Sequence, residues 1–261
     1  MAKMKQNQPR SQRISGQSVR AARQRRITVE GARIVSRLES IQQKTFDDQK
    51  RLGGVHPTWE PQLDARFTAF SKLINGLNST KLSVVFIETC LQDHTWWQEN
   101  FPVITVHDRE NNTHNFVLSA KHNFGMSLFI LVENTLRIIL RAIDPAGCSG
   151  GTEAFDSIYA CLLRSKLSNT PPEVLELLEL VRLVRNTIHN DGVYRHKKGL
   201  DDAVTYKGVT YTFNHGKPIN FVTWDFLLMI ADDIRDLLVQ IFSDVVVAEL
   251  GGQIIDQTAT V

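Results

Sequence analysis

Arg182-Leu183-Val184-Arg185-Asn186-Thr187-Ile188-His189-Asn190-Asp191-Gly192 closes the best-marked helix of this chain. Upstream, Thr170-Pro171-Pro172-Glu173 predicts the helix start. Thr170 is placed to cap the free N–H groups, the prolines suit a first turn, and Glu173 completes a capping box. Gly192 predicts the end, because glycine tolerates the left-handed conformation just past a helix C-terminus. At about 100° per residue, Val174, Leu177, Val181, Val184 and Ile188 share one side. Leu175 and Leu178 begin a second strip, which continues as Arg182, Arg185, Asn186 and His189. A strip that turns from leucine to two cations, an amide and an imidazole reads as a buried edge opening into a polar site. A solvated face would be polar along its whole length.

The helices around this one predict a bundle. Ser119 to Ile143 is apolar around most of its circumference (Phe124, Leu128, Phe129, Leu131, Val132, Leu136, Ile139), so it belongs at the centre of a domain. Its polar residues Glu133, Asn134, Arg137 and Arg141 form one narrow strip. Glu133 and Arg137 are a turn apart and can pair. This strip either faces and orients the Arg182/His189 strip or is a thin solvent edge. Thr152 to Leu167 is a shorter helix. The last helix starts near Thr223, with Leu227, Ile230, Ile234, Leu237, Leu238 and Ile241 as its apolar stripe. Val204–Tyr206 and Val209–Phe213 flank Lys207-Gly208 as a β-hairpin. Four helices with short connections and one small β-insertion predict an antiparallel four-helix bundle.

The Arg–polar–His pattern followed by Asn-Asp-Gly, set in such a bundle, resembles the HEPN superfamily (higher eukaryote and prokaryote nucleotide-binding domains) over about residues 119–245. The resemblance implies an all-helical, often dimeric fold and, in many members, a metal-independent RNase whose signature is an Arg, four to six residues, then a His. Arg182 and His189 enclose six residues. Arg185-Asn186 gives the Arg-polar start, with three residues before His189. That is one residue short of the signature, so Arg182 fits its spacing, Arg185 fits its Arg-polar start, and the family role stays open between them. By the same resemblance, sites of this kind form from two motifs meeting across a dimer. A toxin or phage-defence role, with an antitoxin or defence partner, follows from kinship alone.

The chemistry fits those residue types. RNA carries its own nucleophile, the 2′-hydroxyl, so a cleaving enzyme needs an acid/base near neutrality, a cation for the phosphate and groups that hold the geometry. His189 supplies the first. Arg182 or Arg185 can grip the phosphate bidentately. Asn186, a turn before Asn190, can position phosphate or ribose. No metal and no cofactor is required. The same residues also suit a structural role, in which His189 and Asn190 cap helix carbonyls and the arginines pair with Glu133 or Asp191.

Residues 1–26 hold Lys3, Lys5, Arg10, Arg13, Arg20, Arg23, Arg25 and Arg26, no acid and almost no apolar side chain, and predict a disordered basic tail. Such a tail is either an arm drawn to nucleic-acid phosphates, led by Arg20, Arg23, Arg25 and Arg26, or a solubilising segment. Residues 27–118 predict a helical extension with its own β-hairpin. Ile34, Leu38 and Ile41 mark one amphipathic helix, and Phe67, Phe70, Leu73 and Leu77 a second. Residues 82–101 are ambiguous between helix and strand. Val103–His107 and His114–Leu118 around Asp108-Arg109-Glu110-Asn111-Asn112 read as the hairpin. Residues 119–250 form the HEPN-like unit, and 251–261 a frayed tail. Trp96-Trp97, Tyr206 and Tyr211 suit base stacking or, more simply, core packing.

Composition bounds the rest. The 261 residues, 42% hydrophobic and with net charge +2, can build a full core and imply no strongly charged molecule. Cys90, Cys148 and Cys161 have no paired spacing, which argues against a zinc site or disulfide framework and fits the cytoplasm. His94, His107, His114 and His122 match no ligand spacing. The apolar run from Phe124 to Ile143 is interrupted by Glu133, Asn134, Arg137 and Arg141, so no membrane span is expected. Three readings follow: a metal-independent endoribonuclease acting on RNA, a non-catalytic helical dimerisation or partner-binding module, and a nucleic-acid binder acting through the basic arm.

Overall fold

The structure, a computed structural model, describes residues 27–258. It is mainly helical. The elements run α1 (Val29–Val55), α2 (Ala65–Phe86), a π-turn (Ile87–Leu91), α3 (His94–Asn100), α4 (Val106–Ile143), the four-residue turn α5 (Cys148–Gly151), α6 (Phe155–Ser165), α7 (Pro172–His189), β1 (Asp202–Tyr206), β2 (Val209–Phe213), α8 (Trp224–Ser243) and the short α9 (Val245–Ala248). The strands pair antiparallel, with Tyr206 opposite Val209 and Lys207-Gly208 at the turn. Gly208 has φ +76°, a conformation glycine adopts without Cβ strain.

α4 is the central helix, packing against α2, α6, α7 and α8. Ile139 and Leu140 are fully buried there. One continuous core takes Ile34 and Leu38 from α1, Phe70 and Leu73 from α2, Leu136 from α4, Ile158 from α6, Leu178 from α7 and Ile234 from α8. Residue 119 thus lies inside one helix, and the helices before and after it share that core.

Four expectations need correction. The hairpin over 103–118 is helix: α4 starts at Val106 and runs unbroken for 38 residues. Thr105 caps it, accepting from Asp108 N at 3.1 Å while its hydroxyl donates to Asp108 Oδ2 at 2.6 Å. Val117, Ala120 and Phe124 then recur at helical spacing. Val117 and Ala120 join a second apolar cluster with Ile87, Leu91 and Trp97, which overrides the β-type local composition. In the ambiguous stretch 82–101, Trp97 is a core residue whose indole N–H donates to Leu91 O at 2.8 Å.

The cysteines are not all unpaired. Cys148 and Cys161 form a disulfide, because the Asp144–Thr152 loop folds back onto α6. The third correction concerns Thr170, which does not cap α7. Its hydroxyl donates to Leu163 O at 2.7 Å, and Pro171 takes the cap position without a side-chain bond.

The fourth is the tail. Residues up to Thr258 form a docked strap rather than a frayed end. Ile255 bridges Asp64, Ala65 N donates to Ile254 O at 2.7 Å, and Asp256 N donates to Leu63 O at 2.9 Å. Beneath the strap Arg66 is fully buried. It donates to both oxygens of buried Asp64 at 2.9 and 2.7 Å and to the carbonyls of Val247 and Gly252 at 3.3 and 3.0 Å. Its guanidinium lies 3.2 Å over the Trp59 ring, which stacks in turn on His56. Among the described residues no helix is long and apolar enough to cross a membrane.

Candidate functional site

The motif occupies the last two turns of α7. Leu183, Val184 and the fully buried Thr187 anchor its inner side, and Thr187 Oγ1 donates back to Leu183 O at 2.8 Å. The helix ends as the sequence predicts. Asn190 is the C-cap residue, Asp191 and Gly192 take positive φ values of 56° and 79°, and Gly192 N donates to Thr187 O at 3.0 Å. That bond satisfies one of the terminal carbonyls. Asn190 Nδ2 donates to Asn186 O at 2.8 Å, so Asn190 is a capping residue.

The four motif side chains meet different fates. Arg182 is paired within its own helix: Nε and Nη2 donate to Glu179 at 2.8 and 2.5 Å. Tyr159 of α6 donates to the same carboxylate at 2.7 Å. Burial alone would raise the Glu179 pKa, yet the bonds from Arg182 and Tyr159 outweigh it and hold the carboxyl below its ordinary value. The bond to Glu179 raises Arg182, and burial followed by its own hydroxyl's bond to Glu179 raises Tyr159. Neither Tyr159 nor Glu179 was singled out from sequence. The Glu179/Arg182 spacing of three was a legible signal for their pairing.

Arg185 has no carboxylate partner among the described residues. Its guanidinium lies 4.8 Å from the Phe129 ring centroid, and Nη1 donates to Asn186 Oδ1 at 3.1 Å. Its Nε is buried without an acceptor among the described residues. An orphaned donor costs about 1–3 kcal/mol, so Arg185 is held by packing rather than by charge pairing. Together with Ile188 it lines a slot of about 20 Å³ between α4, α7 and α8. His189 is exposed, and its ring makes no hydrogen bond to any described residue.

The polar strip of α4 turns elsewhere. Glu133 and Arg137 pair as expected, at 3.1 and 2.6 Å. Arg137 Nη1 also holds the carbonyls of Gly151 and Glu153 at 2.6 and 2.9 Å, and Arg141 Nε holds Gly150 O at 2.8 Å. The strip therefore clamps the disulfide-bearing loop, and none of these bonds reaches Arg182, Arg185, Asn186 or His189. Asn134 sits where two grooves adjoin. One of about 540 Å³ lies under the strap, and one of about 620 Å³ lies between α2 and α4. Neither is lined by a motif residue. Arg20, Arg23, Arg25 and Arg26 lie outside the described residues.

The aromatic candidates are packing residues. Trp97 and Tyr206 are buried, Tyr206 donates to Asp233 Oδ2 at 2.9 Å, and Tyr211 packs against Phe221 and Phe226. Among the described residues no three His, Cys, Asp or Glu side chains group to hold a metal ion. His94 contacts Arg109, and His107 contacts Asn111.

No family model, no curated protein and no solved structure matches this chain.

Proposed function

We propose that the chain is a HEPN-like, metal-independent endoribonuclease in which His189 is the acid/base and each copy supplies half of a site. The observation that carries this reading is the state of His189. It ends a rigid, core-packed helix, is exposed to solvent and is bonded to no described residue, so its ring is free to exchange a proton with a substrate. A structural histidine at a helix end would bond a carbonyl or a carboxylate.

The charge arrangement chooses between the arginines. Arg182 is neutralised by Glu179, so a phosphate would have to compete with a paired carboxylate. Arg185 bonds only a neutral amide and lies a turn before His189, on the same strip. It is the cation available to stabilise the charge on the attacked phosphate, and Asn186, bonded to it, is the positioning group. The RNA 2′-hydroxyl attacks the adjacent phosphorus as a histidine takes its proton. The 5′-oxygen leaves with a proton, and a cyclic phosphate results. One imidazole cannot be base and acid in the same instant. A homodimer that brings two His189 residues together supplies both, which is why the reading requires a second copy. An antiparallel HEPN-type arrangement of α4, α6, α7 and α8 belongs to the same proposal, as does a toxin or defence role with a cognate partner protein.

A second reading has its own support. The pairing of Arg182 with Glu179 removes the arginine whose spacing to His189 fits the family pattern, as in a non-catalytic dimerisation or partner-binding module.

The test is RNA cleavage in excess EDTA by the wild type and by His189→Ala, with product termini identified and the mass in solution measured by sedimentation. The expected result is a dimer that cleaves without metal, leaves a cyclic phosphate and loses at least about 100-fold in rate on the substitution. A dimer that cleaves nothing favours the interaction module. Cleavage indifferent to His189→Ala overturns the site assignment.

A further inference from the structure

Most of the lysines and arginines that the structure describes have a local partner. Arg33, Arg37, Lys44, Arg51, Arg66, Lys72, Lys81, Arg137, Lys166, Arg182, Lys207 and Arg235 are in ion pairs. Arg109, Lys121, Arg141 and Arg185 meet a ring or a neutral acceptor. Six cations contact no described residue in any of these ways: Lys50, Arg164, Arg195, Lys197, Lys198 and Lys217. The first two lie on α1 and α6. The other four belong to one lobe and are all exposed.

The backbone puts those four together. Past the end of α7, Val193 bridges Pro218. Tyr194 N donates to Lys217 O at 2.9 Å, and Gly216 N donates to Tyr194 O at 2.8 Å. His196 N donates to the His215 ring at 3.0 Å. The Arg195–Lys198 turn and the His215–Lys217 turn are therefore neighbours, although some 20 residues separate them in sequence. Three acids stand nearby and none is ion-paired to these cations: Asp191 is exposed, Asp201 accepts from His215 N at 2.7 Å, and Asp202 accepts from the Tyr194 hydroxyl. Arg195, the first cation of the lobe, is six residues after His189, so its Cα lies within about 22 Å of the His189 Cα.

From this concentration of unpaired charge beside His189 we infer that the Arg195–Lys198/Lys217 lobe is the binding track for an RNA phosphodiester backbone. Unpaired cations on a fixed scaffold neutralise phosphates, release counterions and give affinity without base specificity. The inference deepens the proposed function by naming what the surface beside His189 grips. It is tested by binding, apart from chemistry.

The experiment uses the full chain carrying His189→Ala, so that RNA stays intact, and follows anisotropy of a labelled single-stranded RNA across a salt series. Lys197→Glu/Lys198→Glu is compared with a variant carrying Arg20, Arg23, Arg25 and Arg26 all to Ser, and with Lys50→Glu/Arg164→Glu as a control for net charge. The lobe pair should weaken RNA binding roughly tenfold and reduce the salt slope by about 1.4, as expected for two lost single-strand phosphate contacts. The Lys50/Arg164 control should shift affinity by less than about twofold. Equal loss in the lobe and control variants would show general charge attraction and overturn the inference. So would RNA binding that only the Arg-to-Ser tail variant disturbs. If the lobe variant loses binding while the wild type cleaves nothing, the track stands and the nuclease reading falls. If the wild type cleaves and the lobe variant binds as before, the reverse holds.

Discussion

The corner where the C-terminal strap crosses α2 and the lobe beyond α7 are both rich in charge, and they treat it in opposite ways. At the corner, Arg66 and Asp64 are fully buried and every strong bond is made within the chain. Asp256 and Lys72 close the strap at 2.5 Å. In the lobe, Arg195, Lys197, Lys198 and Lys217 are exposed and unpaired among the described residues, with His189 unbonded nearby. A buried charge is expensive and survives only when it is satisfied, so a complete network marks a residue that holds the fold. Exposed unpaired charges cost little, so a cluster of them is free to serve a ligand. Substitutions at the two places should therefore separate, with stability falling at the corner and binding or chemistry at the lobe.

The largest expected effect is at Arg66. Arg66→Ala leaves Asp64 buried without its partner, releases the carbonyls of Val247 and Gly252, and removes the guanidinium from the Trp59 face. Breaking a buried pair in this way costs about 3–5 kcal/mol. Denaturant unfolding measures it. A loss under about 1 kcal/mol would mean that the corner is dispensable, and the contrast with the lobe would collapse.

Asp256 comes next. Burial alone would raise its carboxyl, but bonds from Lys72, Thr68 and Thr258 overcome this and hold the pKa down to about 2. A carboxyl depressed in the folded state stabilises it in full above the ordinary carboxylate value. That stability is lost as pH falls toward the folded pKa. The drop from the ordinary 3.8 is worth about 2 kcal/mol at neutral pH. Asp256→Asn should remove that much at pH 7 and flatten the stability-against-pH curve between about pH 4 and 2. An unchanged acid limb would detach the strap from the stability of the core.

The corner and the basic lobe were both invisible in the sequence, for physical reasons. Helical periodicity located the apolar stripes of α1, α4, α7 and α8, and the Lys207-Gly208 turn located the hairpin, because those signals are local. The 103–118 stretch misled because its β-branched residues and polar pentapeptide have local strand and turn character. Only packing against Trp97 and Ile87, ten or more residues away, makes it helix. Likewise Gly251-Gly252 reads as the start of a loose end until the long-range partner Asp64 is known. The Cys148–Cys161 pair depends on a loop reversal that no spacing rule encodes. At the motif, the exposure of His189 and the Asn190 cap follow from the helix end. The capture of Arg182 was half legible, since Glu179 stands three residues before it, whereas Tyr159 arrives from α6. The basic lobe needed the structure, because Lys217 joins Lys197 and Lys198 through backbone bonds between distant turns.

The smallest expected effect is the most discriminating. His189 is exposed and bonded to no described residue, so His189→Ala should change unfolding free energy by no more than about 0.5 kcal/mol. Its loss from the last helical turn removes at most a weak favourable interaction with the terminal carbonyls, at the low end of the range of about 0.3–1 kcal/mol because the ring is exposed and the effect is screened by salt. Repeating the measurement at high salt isolates that contribution. If the protein is as stable without the imidazole as with it, the residue does not serve the isolated fold, and its role lies with a substrate or a second copy. A loss above about 1 kcal/mol that depends on protein concentration would place His189 in a dimer interface. The same loss independent of concentration would make it a capping residue, and the contrast between a structural corner and a functional lobe would fail at its central member.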